Sequence, residues 1–191
     1  MHWRFMPADD PSVDRFIVRD VDSRLNTRDR IAVEEWIRSN LSLHVMRDHP
    51  CHSHYPMNGG MWGLKKGALN ESMSMLVNKW AALQNAWLWY GGQHEDVTSK
   101  YMADMEFLKS EIWPRLWQDS ITHDTYSCQL FEGKVFAFPT QRPFNFQHVG
   151  QVFDAEDNPR MSDIVTTCCG SIMAKTYSPP ECRRHKSWMY G

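Results

Sequence analysis

The chain has 191 residues and a formal charge of -2, a size that suits one domain burying about 70% of its unfolded surface. Its charge is mixed, and no basic cluster is interleaved with aromatic residues, which excludes a general nucleic-acid binder. No run approaches the roughly 20 apolar residues of a membrane span, and the opening Met1-His2-Trp3-Arg4 lacks the apolar core of a signal peptide, so a soluble chain is expected.

Phe16-Ile17-Val18 predicts a buried strand leading into a turn, Arg19-Asp20-Val21-Asp22-Ser23-Arg24. Alternate side chains of an extended segment share a face, so Asp20 and Asp22 can point together at one hard cation. Magnesium or manganese suits such a pair, because these ions take carboxylate, water and phosphate oxygens, and Arg19 and Arg24 could hold the phosphates. The plainer alternative is a solvated strand end with ion pairs. Thr27 predicts the N-cap of a helix from Arg28 to Ser39, with Ala32, Val33, Trp36 and Ile37 as its apolar stripe. Leu43-His44-Val45-Met46 predicts a second, internal strand. Strand, helix, strand at this spacing predicts a right-handed parallel βαβ unit, which sets the loops 19–24 and 47–54 on one sheet edge.

The second loop holds His49, Cys51, His52 and His54, spaced too tightly for the usual zinc pairs. Gly59-Gly60-Met61-Trp62-Gly63 predicts either tight turns or backbone left bare for a ligand, with Trp62 between the glycines. Met73, Leu76, Val77, Trp80, Leu83 and Trp87 mark the core face of a helix from about Asn70 to Tyr90. After a turn at Gly91-Gly92, a further helix runs from Tyr101 to about Trp113 and stops near Pro114. Its Asp104 and Glu106 fit an exposed acidic helix start. Strands are predicted within Ile121 to Cys128, Lys134 to Phe138 and Val149 to Phe153, closing the sheet or forming a lid. A Pro-marked basic tail, 179–188, is expected along the surface, with His185 a late candidate ligand. Five cysteines without a Cys-x-x-Cys pair favour reduced thiols, with one bridge left open. A nucleophile elbow, a phosphate loop and a dinucleotide fingerprint are absent from the sequence.

Val13-Asp14-Arg15-Phe16-Ile17-Val18-Arg19-Asp20-Val21-Asp22-Ser23-Arg24-Leu25, followed by Ala32-Val33-Glu34-Glu35-Trp36, Met46-Arg47-Asp48-His49-Pro50 and Gly59-Gly60-Met61-Trp62-Gly63, resembles a family of uncharacterised glycosyltransferase-like proteins with the GT-A fold. The resemblance continues through Asp104-Met105-Glu106-Phe107-Leu108, Ile112-Trp113-Pro114, His123-Asp124 and Val149-Gly150-Gln151-Val152-Phe153, and so covers most of the chain. It implies an α/β fold, a mixed GT-A-like sheet flanked by helices in one domain over 1–191. Only nineteen residues precede Asp20, so most of the N-terminal nucleotide-binding half is expected to be missing and supplied by a partner domain or chain.

By the same resemblance, Asp20 and Asp22 would hold Mn2+ or Mg2+ on the diphosphate of a nucleotide sugar, for glycosyl transfer to a carbohydrate acceptor. Arg19, Arg24, Arg47, His49, Gly59, Gly60, Trp62 and Gly63 would bind substrate, and Asp104, with Asp48 as its rival, would act as base or sugar-orienting acid. The alternative is a non-catalytic sugar or sugar-phosphate binding module, or a fragment of a larger transferase. A cytoplasmic protein is expected if 191 residues are the full chain, and a secretory-pathway lumen if they end an anchored enzyme.

Overall fold

The structure, a computed structural model, describes residues 2–90, 102–143, 147–162 and 177–190, with side chains of 2 and 86–90 left aside. The turn at Gly91-Gly92, Trp87 as a core side chain, Tyr101, Cys168 and Cys169 lie outside the described residues. Five strands form one mixed sheet in the order β1-β3-β2-β4-β5: β1 (Arg15–Arg19), β2 (Leu43–Arg47), β3 (Met61–Lys65), β4 (Ser120–Asp124) and β5 (Lys134–Phe136). Helix α1 (Thr27–Ser39) covers one face, and α2 (Met73–Tyr90), α3 (Ala103–Phe107) and α4 (Trp113–Leu116) serve the other.

The expected βαβ neighbours are separated. β1 and β2 each pair antiparallel with β3, so they run parallel to each other with β3 between them. β3 escaped notice because its glycines read as a turn. Gly63 is a strand residue, facing Ile17 on one side and His44 on the other, and a side chain there would crowd the Phe16 carbonyl and the Trp36 ring. β4 and β5 then extend the sheet in parallel with β2. The carboxyl ends of β1, β2 and β4 and the start of β3 therefore share one edge, as expected for the two loops.

Period-two alternation divides the strands cleanly. Val18, Leu43, Val45, Trp62 and Leu64 pack with Phe5, Trp80, Phe107 and Trp113 in the larger core. Met46 and Met61 face the other way, toward Ala32, Phe138 and Val149. On α1, Ala32 and Trp36 are buried, but Ile37 is 49% exposed and Leu83 of α2 is 65% exposed, so the stripes are narrower than predicted.

Helix ends differ in instructive ways. Asn26, not Thr27, caps α1, its side chain accepting the Asp29 amide. Asp9, at the end of the 3-10 helix His2–Asp9, accepts the Met73 and Ser74 amides at the start of α2. The α3 helix passes into a π-helical turn, Leu108–Ile112, and resumes as α4 with Pro114 in its first turn. A proline is tolerated there because a first-turn amide needs no partner. Val149 to Phe153 forms no strand; Val152 and Phe153 make only isolated bridges, to Ser23 and Pro159.

The cysteine expectation is corrected. Cys128 and Cys182 form a disulfide, and Cys51 is also disulfide-bonded, states that persist in oxidising compartments. The Cys128–Cys182 bridge ties the exit of β4 to the tail, where Ser178 donates to the Thr125 carbonyl at 2.6 Å. Closing a loop across 54 residues restricts the unfolded chain, so a Cys128→Ser, Cys182→Ser variant is expected to lose about 2–4 kcal/mol, read from urea unfolding with and without reductant.

Candidate functional site

The sheet edge gathers four of the residues singled out in the sequence. The Asp20 carboxylate, just past β1, lies over Gly60, where any side chain would overlap it; the Asp104 carboxylate of α3 lies in the same way over Gly59. The two glycines leave bare backbone, and two acids from distant segments occupy the room. Asp104 is buried at 7% exposure and Asp20 is 53% exposed. An exposed helix start was the plain expectation for Asp104, and packing of α3 under the edge overrides it.

Arg4, from the N-terminal 3-10 helix, completes this group. Its Nη1 donates to Asp104 Oδ2 at 2.6 Å and its Nη2 stands 3.5 Å from Asp20 Oδ1. Partial burial raises the Asp20 carboxyl, Arg4 opposes the rise, and the charges of Asp22 and Asp104 add to it. Asp22 thus shares the electrostatic field of Asp20, while its carbonyl accepts the Phe153 amide at 2.7 Å. Among the described residues no group of three or more His, Cys, Asp or Glu could hold a metal ion. A cation at Asp20 and Asp22 would have to complete its shell from water and substrate oxygens, the usual habit of magnesium.

The remaining candidates form a supporting layer around that group. Asp48 is fully buried. Oδ1 accepts from Arg28 Nη2 at 2.9 Å, Arg142 Nη2 at 2.8 Å and Thr125 Oγ1 at 2.5 Å, and Oδ2 from Arg28 Nε and the Val149 amide at 2.9 Å each. Burial alone would raise this carboxyl, but Arg142 and Arg28 outweigh it and hold Asp48 well below the usual carboxylate range. With both oxygens saturated, Asp48 organises the edge, and its geometry does not suit a proton acceptor.

The candidate arginines are committed likewise. Arg19 grips Asp29 through Nε and Nη2 at 3.1 and 2.8 Å, tying β1 to the first turn of α1. Arg24 pairs with Asp157 at 2.6 Å and lies over Phe153. Arg47 is buried between Asp124, the Pro56 carbonyl and the Phe131 ring. Trp62 has no open face: it is fully buried, its Nε1 donates to the Gly59 carbonyl, and Phe5 and Phe16 pack on it. It fixes the turn that carries Gly59 and Gly60. His49 accepts the Cys51 amide and its ring sits 4.6 Å from His148 and 5.3 Å from His52. The disulfide at Cys51 removes its thiolate from any ligand set.

Behind the edge, a second histidine group was missed in the sequence. His44 Nε2 lies 2.9 Å from His123 Nδ1, and His123 Nε2 lies 3.0 Å from Glu35, which Arg184 of the tail holds with both Nη atoms. Since Glu35 accepts, His123 carries its proton on Nε2 and receives from His44. His44 and His123 both lie in segments that the sequence predicts as strands; the pairing needs β2 and β4 side by side.

Two outcomes are expected from these networks. Asp48→Ala removes the carboxylate shared by the buried Arg28 and Arg142 and is expected to cost about 3–5 kcal/mol in urea unfolding, whereas Asp20→Ala, half-exposed, changes stability by less than about 1 kcal/mol. Burial lowers His44, His123, His148 and His52, the last to about 3. The unfolded chain binds protons near pH 6.5 that the native state refuses, so stability is full above about 6.5 and falls as pH drops below it. Glu35, lowered to about 2 by His123 and Arg184, adds a loss below its ordinary value of 4.5. Thermal melting between pH 8 and 4 checks the direction.

No helix among the described residues is long and apolar enough to cross a membrane. Set against family models, curated proteins and solved structures, the chain matches none.

Proposed function

We propose that this chain is a metal-dependent glycosyltransferase-like protein, moving a sugar from a nucleotide-diphosphate donor to a glycan or other acceptor. What carries the reading is the meeting of Asp20, beside Asp22, with Asp104 over the bare Gly59-Gly60 backbone. The donor set is chemically suitable, since oxygen-only carboxylates with open positions match Mn2+ or Mg2+ bound together with phosphates. Bound there, the cation would supply neutralisation of charge on the departing diphosphate.

The chain's own groups divide the remaining work. Asp20 and Asp22 would hold the cation, and Asp104, fixed by Arg4, would orient a sugar or acceptor hydroxyl by accepting its hydrogen bond. Gly59 and Gly60, lacking side chains, give the Asp104 and Asp20 carboxylates their room. Asp48, Arg19 and Arg47 would act as positioning residues through the loops they brace. A nucleotide pocket from a partner domain or a second chain belongs to the same proposal. The disulfide-bonded cysteines favour an oxidising compartment for it.

One observation favours a second reading, a sugar-binding module without turnover. Arg19 and Arg24, expected to hold phosphate, and Arg47, expected to bind substrate, are all paired with carboxylates of the chain itself. Calorimetry with a panel of nucleoside diphosphates separates the two. Transfer predicts binding that requires Mn2+ and weakens at least ~10-fold in an Asp20→Ala, Asp22→Ala variant. Metal-independent binding, or equal binding by the variant, overturns it, and binding of free glycans alone selects the module.

A further inference from the structure

The tail is fastened to the sheet by a bridge that borders an open cavity. Residues 177–190 return across the exit of β4, where Cys182 is bonded to Cys128. Cys182 is 3% exposed, while Cys128 is partly exposed. Both line a cavity of about 360 Å3 together with Ser53, Tyr126, Gln129 and Glu181, a volume in the range of small-ligand sites. The Cys128 amide donates to Cys182 Sγ at 3.4 Å. The two cysteines are therefore unequal. One is open to attack, and the sulfur of the other has a donor placed to stabilise it as it leaves.

Beside the bridge, the tail is held by Ser178, which donates to the Thr125 carbonyl at 2.6 Å, and by Arg184, which reaches Glu35 at 2.8 and 2.9 Å. The two ends of that ion pair are 32% and 25% exposed, and pairs so open to water hold weakly. The amides of Ser178 and Trp188 are bonded within the tail itself, to Met189 and His185. None of the paired residues of β1 to β4 belongs to the tail.

We propose that the Cys128–Cys182 bridge is an exchangeable latch: a low-molecular-weight thiol of the glutathione class enters the cavity, attacks Cys128 and frees the tail from β4 while the sheet stays folded. The incoming thiolate sulfur bonds to Cys128 Sγ, the bond between the two cysteines breaks, and its electron pair leaves on Cys182, which takes a proton from water. A second thiol then attacks the sulfur of the first in the mixed disulfide, and Cys128 departs as a thiolate and is protonated. Two small thiols become one disulfide, and the bridge becomes two thiols. Attack falls on Cys128 because exchange selects the accessible sulfur and the better-stabilised leaving group. Once released, the tail gives up Glu35, which His123 Nε2 still holds. The latch is independent of what the sheet edge binds.

The test uses the full chain, folded and without denaturant, any free thiol first blocked with iodoacetamide, and reduced glutathione at about pH 8, where a useful fraction is thiolate. Acid quenching and peptide mass spectrometry locate the adduct. Glutathione is expected on Cys128 at least ~10-fold more often than on Cys182, at a rate proportional to its concentration. In a Cys128→Ser, Cys182→Ser variant, hydrogen exchange over 178–189 is expected to quicken at least ~10-fold while β2 and β4 stay protected. If that variant does not fold, the adduct on the wild-type chain decides. A reduction rate independent of glutathione concentration, which marks opening by global unfolding, overturns the proposal. So does an adduct found chiefly on Cys182, tail exchange unchanged in the folded variant, or loss of protection in β2 and β4 along with the tail.

Discussion

A single buried carboxylate sets the geometry of the working edge. Asp48 has no access to water, and a charge in that position is tolerable only when its lone pairs are filled by well-placed donors. The donors come from α1, from the end of β4, from Arg142 and from the Val149 amide. Movement of any one of these segments removes a donor from the buried carboxylate. The neighbouring Arg47–Asp124 pair extends the lock, with Asp124 also accepting the Tyr126 and Ser127 amides that start the next loop. The ends of β2 and β4 are thereby held in one arrangement.

That lock explains why so many promising side chains turn out to be unavailable. Arg19 is spent on Asp29, Arg47 on Asp124 and His49 on the Cys51 amide, while Trp62 holds the turn itself through the Gly59 carbonyl. The groups left with spare capacity are Asp20 and Asp22, on the exposed side of the edge. A rigid layer behind an open pair of acids is a sound arrangement for binding, since it keeps loops from collapsing into the space a ligand needs. Arg4 occupies part of that space, which makes the N-terminal 3-10 helix a component of the site and not a leader to β1.

Much of this was readable from local pattern, because local pattern reports strands, helices and their faces. The runs at Phe16 and Leu43, the stripe at Ala32 and Trp36, and the long helix before Tyr90 depend on periodicity that burial enforces directly. Periodicity failed where glycine carried the strand: Gly63 has no side chain to show a face, so β3 passed for a turn. It failed again at Pro114, where a π-helical turn lets the helix continue past a residue that ordinarily ends it. Cysteine spacing could not announce the Cys128–Cys182 bridge, because the two are neighbours only after the tail returns to β4.

The sequence by itself determined that Asp20 and Asp22 stand one residue apart just after a strand, and that Gly59 and Gly60 bring no side chains of their own. Both follow from residue order over a few positions. The structure closes Asp20 to Ser23 into a turn, not the extended segment expected. Only the tertiary structure decided which partners fill the uncovered space, and it chose Asp20, Asp104 and Arg4, drawn from three separate segments. It also decided that Asp48 braces the edge. Whether a carboxylate is saturated or spare depends on donors far along the chain, and their convergence is a property of how the sheet, the helices and the tail pack against one another.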